Sequence, residues 1–393
     1  MSHYKYLIIG GGMTADSAVK GIREVDSEGS IGMISSETNP PYDRPPLTKG
    51  LWKGKPFEKI WRGIEHQQGV ELHLGRRVET IDPSTRSVTD DRATVHAFDK
   101  LLLATGGTPR RLPFGNGEVN YYRTVEDYAR LRAETQERQR FGVIGGGFIG
   151  SEIAAALTMN GKDVVMTFPG EGIGARVFPA DLARFINDYY REKGVELLLG
   201  DRVTGMEKRE EKLALKTGNG QEILVDGLVV GIGIQPNVDL ARAVGLEIRD
   251  GIVVDESLRT THSDIYAAGD VANFYNPVLN MRMRVEHEDN ANTMGKVAGQ
   301  SMAGADVPYH HIPYFYSDLF ELGYEAVGEL DSRLETYADW KEPYREGVIY
   351  YLKDGRVRGV LLWNVWDQVE NGRKLIAEKG PFKPADLKSR LPV

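Results

Sequence analysis

The chain repeats itself once, and each copy opens on a run of glycines. Residues 7–12 read LIIGGG and residues 143–147 read VIGGG. GVELHLGRRV at 69–78 returns as GVELLLGDRV at 194–203, and FDKLLLATG at 98–106 returns as VDGLVVGIG at 225–233. The offsets are 135, 125 and 127 residues, as expected for one duplicated unit with small insertions. Each copy has the same order: an apolar strand, a glycine turn, a helix, a second strand, an acidic residue, a β segment, and an apolar strand ending in glycine. The first helix is read from Ala15 to Ile22 in one copy and from Glu152 to Thr158 in the other. The second strand runs from Ile31 to Ser35 and from Val164 to Phe168. Strand–helix–strand units of this kind build a doubly wound, mainly parallel sheet, so the expected fold class is α/β. Residues from about 309 onward have no copy. Their alternating pattern, GVIYYLKDGRVRGVLLWN with Asp354-Gly355 as a hairpin turn, reads as a further α+β domain.

The glycine turns carry chemistry. Gly10-Gly11-Gly12-Met13-Thr14-Ala15 has the form G-x-G-x-x-A. Gly10 permits the tight turn, Gly12 lets a pyrophosphate approach the backbone, and Ala15 lets helix pack on strand. The helix N-terminus then presents unpaired N–H groups to the phosphates. Glu37, at the end of the second strand, is placed to accept ribose hydroxyls. The second turn, Gly145-Gly146-Gly147-Phe148-Ile149-Gly150, has the full G-x-G-x-x-G form, and Glu171 is the nearest acid beyond its second strand. One such turn can be purely structural. Two in register, each opening a strand–helix–strand unit, point to two Rossmann-like domains and two dinucleotides, for which FAD with NAD(H) or NADP(H) is the economical pair. THSDIYAAGD at 261–270 resembles the second flavin fingerprint of proteins that bind two dinucleotides, whose Asp contacts the ribityl chain. It assigns FAD to the first site and makes that domain discontinuous. The expected division is residues 1–115 and 236–308 for FAD, 116–235 for NAD(P)H, and 309–393 as an interface- or dimerisation-type domain.

Composition narrows the chemistry. The chain has no cysteine, which excludes disulfide scaffolds, thiolate metal sites and a redox-active thiol relay. A net charge of -8 argues against a dedicated nucleic-acid binder. His310-His311 has no third ligand at a recognisable spacing, so a structural or surface role is expected and no metal. No apolar run approaches the roughly 20 residues of a membrane helix, and the N-terminus lacks signal-peptide anatomy, so a cytoplasmic protein is expected.

PPYDRPPLTKGLW at 40–52, LLLATGGTPR at 101–110, GGGFIGSE at 145–152 and PNVDLARAVGLEI at 236–248 together resemble one family over essentially the whole chain. RVEHEDNA at 284–291, YSDLFELGYEAVGELDS at 316–332 and the segment 347–364 complete the set. The family is the apoptosis-inducing factor branch of the FAD-dependent pyridine nucleotide reductases, with the ferredoxin reductases as sisters. The resemblance implies that Glu37, Arg44, Lys49, Asp270 and His287 contact FAD, with Lys49 near flavin N5. There a lysine stabilises negative charge developing on the ring. It further implies that Glu152 pairs with Lys49, that Phe148 covers the flavin face, and that Glu286 and Glu325 approach the nicotinamide. Ala104, Thr105, Gly106, Ile149 and Gly233 join the cofactor-contacting positions.

Three departures bear on function. Tyr316 stands where the apoptosis-related members carry a Trp that stacks on nicotinamide. The long insertion those members carry is reduced to residues 333–346, and no mitochondrial leader is expected. The strand-end acid usual for NADH falls where Gly170 stands, so Glu171 is the candidate to replace it, with Arg176 as the opposing charge. A carboxylate repels a 2′-phosphate, which favours NADH. The expected activity is an NADH-dependent flavoprotein reductase that delivers electrons to a ferredoxin-type protein or a quinone-like acceptor. The alternative is a redox-responsive protein, similar to apoptosis-inducing factor, in which NADH reduction controls dimerisation or partner binding with slow turnover. An oxygen-reducing NADH oxidase is disfavoured by the missing cysteine.

Overall fold

The computed structural model describes residues 2–115 and 117–392, which form two compact units. The first comprises residues 1–43, 57–108 and 235–313, and the second residues 44–56, 109–234 and 314–393.

The first unit is organised by the buried strand Ser2–Ile9. Its last four residues, Tyr6 to Ile9, pair in parallel with Ile31–Ser35 on one side and with Val95–Leu103 on the other. Val70–Leu74 extends the sheet beyond Ile31–Ser35. The long strand Val95–Leu103 is shared: its first half meets the antiparallel strand Ser87–Asp90, and Leu101 to Leu103 meet Ile265–Ala267. Continuous apolar sequence is what a parallel strand buried on both faces requires. Leu7, Ile8, Leu101, Leu102 and Ile265 are accordingly inaccessible to solvent.

The second unit contains the same arrangement again. Its five-stranded sheet has the order Val195–Leu199, Asp163–Phe168, Arg140–Ile144, Gly227–Val230, Val119–Asn120, and every pairing is parallel. An antiparallel meander, Val203–Arg209, Lys212–Thr217 and Glu222–Val225, corresponds to the strands at 78–82 and 87–90 of the first copy. The duplication read from the sequence is thus a duplication of topology. The remainder of the unit is a five-stranded antiparallel sheet, in the order Tyr314–Leu319, Leu322–Gly328, Arg356–Trp363, Glu346–Lys353, Glu335–Glu342. Its hairpin turns at Asp354 (φ 52°) and Gly355 (φ 71°), both left-handed as a two-residue turn requires. Among the described residues no helix is long and apolar enough to cross a membrane.

One helix pair in the first unit depends on missing side chains. Helices Met13–Val25 and Glu288–Met302 approach so closely that a Cβ on Gly21 would lie 2.0 Å from Lys296 O. A Cβ on Gly299 would lie 2.0 Å from Ala18 O, and one on Gly295 2.4 Å from Thr14 O. The obstacle is backbone in each case and cannot rotate away. Gly299→Ala should therefore destabilise the chain by about 1–3 kcal/mol, the usual cost of overpacking. Gly147→Ala is the control, because among the described residues nothing beyond its chain neighbours and helix backbone lies within 4 Å of its Cβ position, and its φ of -89° suits any residue. Denaturation midpoints check this; equal midpoints for the two variants would refute the packing argument.

Candidate active site

The first glycine turn closes on the strand end of the same sheet. Gly10 has φ +127°, and a Cβ there would lie 2.1 Å from Ala104 O. Gly12 caps the helix in an extended conformation and, as a glycine, offers no side-chain cap to the first N–H groups. Thr14 lies against Gly269 of the Gly269–Val271 turn, which carries the half-buried Asp270. Glu37 follows Ile31–Ser35: its N–H donates to Ser35 Oγ (3.2 Å), and its Oε2 accepts from Tyr42 Oη at 2.6 Å. Thr105 and Asn237 exchange two bonds, Thr105 Oγ1 donating to Asn237 O (2.8 Å) and Asn237 Nδ2 to Thr105 O (2.8 Å). Gly106, at φ +60°, accepts a further bond from Asn237 N (3.0 Å). His287 caps the helix Glu288–Met302, while the exposed Glu286 pairs with Arg284 at 2.7 Å. His311 Nε2 lies 2.6 Å from Asp289, and His310 lies 3.7 Å from Glu256.

The second turn repeats the geometry. Gly145 has φ +123° and would place a Cβ 2.2 Å from Gly231 O; a Cβ on Gly150 would sit 1.9 Å from Gly145 O. These two glycines let strand, turn and helix Phe148–Met159 close on one another. Gly147 differs, because among the described residues nothing beyond its own chain neighbours and helix backbone lies within 4 Å of the place its side chain would take. An open position at an uncapped helix start is what a phosphate needs for close approach to backbone N–H groups. Both turns therefore fit a dinucleotide. Ile149 is exposed at 37%, and Phe148 packs edge-on against Phe315 with ring centroids 5.1 Å apart. Gly233, at φ +91°, accepts from Arg110 N. Glu171 and Arg176 are both exposed on the loop after Asp163–Phe168.

Within the second unit the structure brings Lys49 and Glu152 together. Lys49 Nζ lies 2.7 Å from Glu152 Oε1, with side chains only 12% and 3% exposed. Two hydroxyls complete the carboxylate's shell: Ser317 Oγ donates to Oε1 and Thr48 Oγ1 to Oε2, each at 2.5 Å. Thr48 and Ser317 escaped the sequence reading. Their only signal is adjacency, Thr48 before Lys49 and Ser317 after Tyr316. Tyr316 places its ring 5.2 Å from the Lys49 ammonium, and Arg44 Nη1 donates to Arg123 O at 2.9 Å. The segment bearing Lys49 is a pair of 3-10 turns, Pro45–Leu47 and Gly50–Lys53, where the two prolines preset the backbone. It is tied down at Leu47 O, which accepts from Trp52 Nε1 (2.8 Å) and Tyr122 Oη (2.5 Å).

Glu325 stands directly across the sheet from Tyr316. Its Oε2 is buried without a hydrogen-bond partner among the described residues. Burial raises its carboxyl above the ordinary value, and the Asp367 carboxylate adds to the rise. The folded chain therefore holds this proton more tightly than the unfolded chain. Its contribution to stability is present at low pH and is lost as pH rises through the raised folded value. Comparing Glu325→Gln with the parent, the denaturation midpoints should diverge in the variant's favour as pH rises from below the ordinary carboxylate range through the raised folded value. A gap that does not change with pH would put this carboxyl in water.

A family model described as pyridine nucleotide-disulphide oxidoreductase matches residues 4–295. One described as apoptosis-inducing factor, mitochondrion-associated, C-term, matches residues 298–343 and 337–378. The chain is 33% identical over 431 residues to apoptosis-inducing factor 1, mitochondrial, of Dictyostelium discoideum, covering 96% of this chain and 79% of that one. It is 34% identical over 388 residues to the ferredoxin reductase subunit of 5,5'-dehydrodivanillate O-demethylase of a Sphingobium species, covering 96% and 94%. Among solved structures, the crystal structure of the covalent putidaredoxin reductase–putidaredoxin complex contains a chain matching with TM-score 0.92 and 28% identity. The match covers 99% of this chain and 96% of that one.

Proposed function

The chain belongs to the pyridine nucleotide-disulphide oxidoreductase family, and on that premise we propose that it is an NADH-dependent reductase whose acceptor is a small iron–sulfur protein of the ferredoxin type. As an NAD(P)H-dependent flavoprotein oxidoreductase it uses FAD, which, when bound, accepts a hydride and can release its electrons singly. We assign FAD to the glycine turn at 10–15 with Glu37, Asp270 and His287, and the nicotinamide dinucleotide to the turn at 145–150. The proposed FAD domain is then drawn from residues 1–115 and 236–308, less the segments 44–56 and 109–115 that belong to the second compact unit, and the NAD(P)H domain from 116–235. The chain has no cysteine, so electrons cannot leave through a dithiol. That supports direct delivery to a one-electron acceptor. The ferredoxin reductase relatives support the same acceptor, and a quinone is the alternative small molecule.

One observation carries the mechanism: the Lys49–Glu152 pair, almost fully buried and fixed by two hydroxyls. A lysine held in a low-dielectric site stabilises negative charge that arrives beside it without having to reorganise. Glu152 holds the ammonium in place and offsets the cost of burying it. Glu171 supports NADH over NADPH by repelling a 2′-phosphate. Likeness to apoptosis-inducing factor in the last hundred residues supports a second reading, in which the reduced protein signals and turns over slowly. Rapid reoxidation by an added ferredoxin distinguishes the first from the second.

Lys49→Met should bind FAD normally yet slow its reduction by NADH roughly ten- to a thousandfold, the range for loss of one preorganised electrostatic contact. The affinity for NADH should change little, because the charge matters where electrons arrive. Glu152→Ala should also be slow and should not add to Lys49→Met. Anaerobic stopped-flow reduction measures all three variants. A Lys49→Met rate within about twofold of the parent would remove the lysine from the mechanism.

A further inference from the structure

The loop that carries Glu171 has no regular structure, and a carboxylate on a slack loop discriminates poorly. This loop is not slack. Between Asp163–Phe168 and Ala180–Glu192 it has neither helix nor strand, yet its backbone is tied down repeatedly. Gly170 O accepts from Gly200 N (3.0 Å), and Gly174 N donates to Gly146 O (2.8 Å), beside the glycine turn. Gly172 lies so close to the helix that a Cβ would meet that of Ala183 at 2.9 Å. Between these ties a single side chain grips the loop on both sides of Gly172. Asn187 Nδ2 donates to Glu171 O (2.9 Å), and Ile173 N donates to Asn187 Oδ1 (3.0 Å).

We propose that Asn187 is a positioning residue that sets the choice between the two nicotinamide dinucleotides, by fixing the backbone from which Glu171 projects. The inference rests on the reading of Glu171 as the carboxylate that meets the ribose. Asn187 is 4% exposed, so its carboxamide is a costly group to bury, and both of its ends are spent on this one loop. An apolar side chain at 187 would leave the buried Ile173 N–H and the Glu171 C=O without this partner, at a cost in stability. The loop would relieve that cost by moving outward into water. A ribose hydroxyl bonds a carboxylate only within about 3 Å, so a displaced Glu171 loses both its bond and most of its repulsion toward a 2′-phosphate. Arg176 lies beyond the grip of Asn187, exposed, on the same loop. It is the charge that would favour a 2′-phosphate once Glu171 is no longer held.

The test uses the oxidised FAD-loaded protein and calorimetric binding of NAD+ and NADP+, with NADH kinetics beside it. Glu171→Gln should lower the ratio of the NADP+ to the NAD+ dissociation constant about tenfold, or about 1.4 kcal/mol. Asn187→Leu should lower it by a similar factor and raise KM for NADH, with the limiting reduction rate and the FAD content unchanged. A purely structural defect would instead lower FAD content and limiting rate and weaken both dinucleotides alike. The double variant should show no lower ratio than Glu171→Gln alone. If Asn187→Leu does not accumulate as folded protein, Asn187→Asp makes the same comparison. It keeps the acceptor for Ile173 N and cannot donate to Glu171 O. An unchanged ratio in a folded Asn187 variant, alongside a lowered ratio in Glu171→Gln, overturns the proposal while leaving the reading of Glu171 intact. An unchanged ratio in Glu171→Gln itself overturns that reading, and the proposal with it.

Discussion

A carboxylate with almost no contact with water must be answered by donors, and much of the second unit is arranged around that requirement. Glu152, on the helix Phe148–Met159, is drawn on by two separate stretches of chain: Thr48 and Lys49 on the 3-10 segment and Ser317 on the antiparallel sheet. Removing one partner of such a set leaves a buried charge uncompensated, a far larger cost than any single bond would gain. The segment 44–56 is too short and too rich in proline and glycine to fold by itself. Its anchorage at Leu47 O by Trp52 and Tyr122 and its ion pair with Glu152 give it one conformation.

The duplicated halves show how one backbone solution is reused with different side chains. Gly10 and Gly145 occupy equivalent turns, with φ of +127° and +123°, and each faces a carbonyl just past the last strand of its repeat, Ala104 O and Gly231 O. No residue with a Cβ fits either position. The third position diverges, Ala15 in the first copy and Gly150 in the second. At Gly150 a Cβ would collide with Gly145 O at 1.9 Å, so helix and turn are closer there than the alanine of the first copy permits.

What could be read from the chain follows from what leaves a local signature. Glycine turns, apolar strands and the Asp354-Gly355 hairpin are local, because backbone sterics and strand periodicity act over a few residues. Both parallel sheets and the duplicated strand order were therefore legible. Lys49 and Glu152 were legible only through the family resemblance, since they are 103 residues apart and nothing near either one announces the other. Thr48, Ser317, Asn187 and Asn237 were missed for a related reason. Each is a common polar residue whose importance comes from being buried (half-buried for Asn237) with its bonds aimed at backbone or at one carboxylate, and burial of that kind is decided by tertiary packing. The unit to which residues 44–56 belong was equally hidden, because a short segment declares its packing partners only through contacts distant in sequence.

The surroundings of the ion pair explain why it is a pair. Burial raises the phenols of Tyr190 and Tyr324 well above their ordinary range, and the Glu152 charge adds to the effect in each. Both phenols therefore stay neutral at any pH the protein meets and cannot share the charge. A lone buried lysine in such surroundings would tend to lose its proton, and a lone buried glutamate to gain one, because desolvation disfavours the charged form of each. Held together at 2.7 Å they are close to neutral as a unit yet remain strongly dipolar. The positive end lies 5.2 Å from the Tyr316 ring centre, and the negative end is saturated by hydroxyls. A neutral unit is far less costly to bury than a single charge, and a fixed dipole responds to new negative charge near its positive end without moving. That combination lets this interior keep a cation in place for electron chemistry without a solvent-exposed counter-ion.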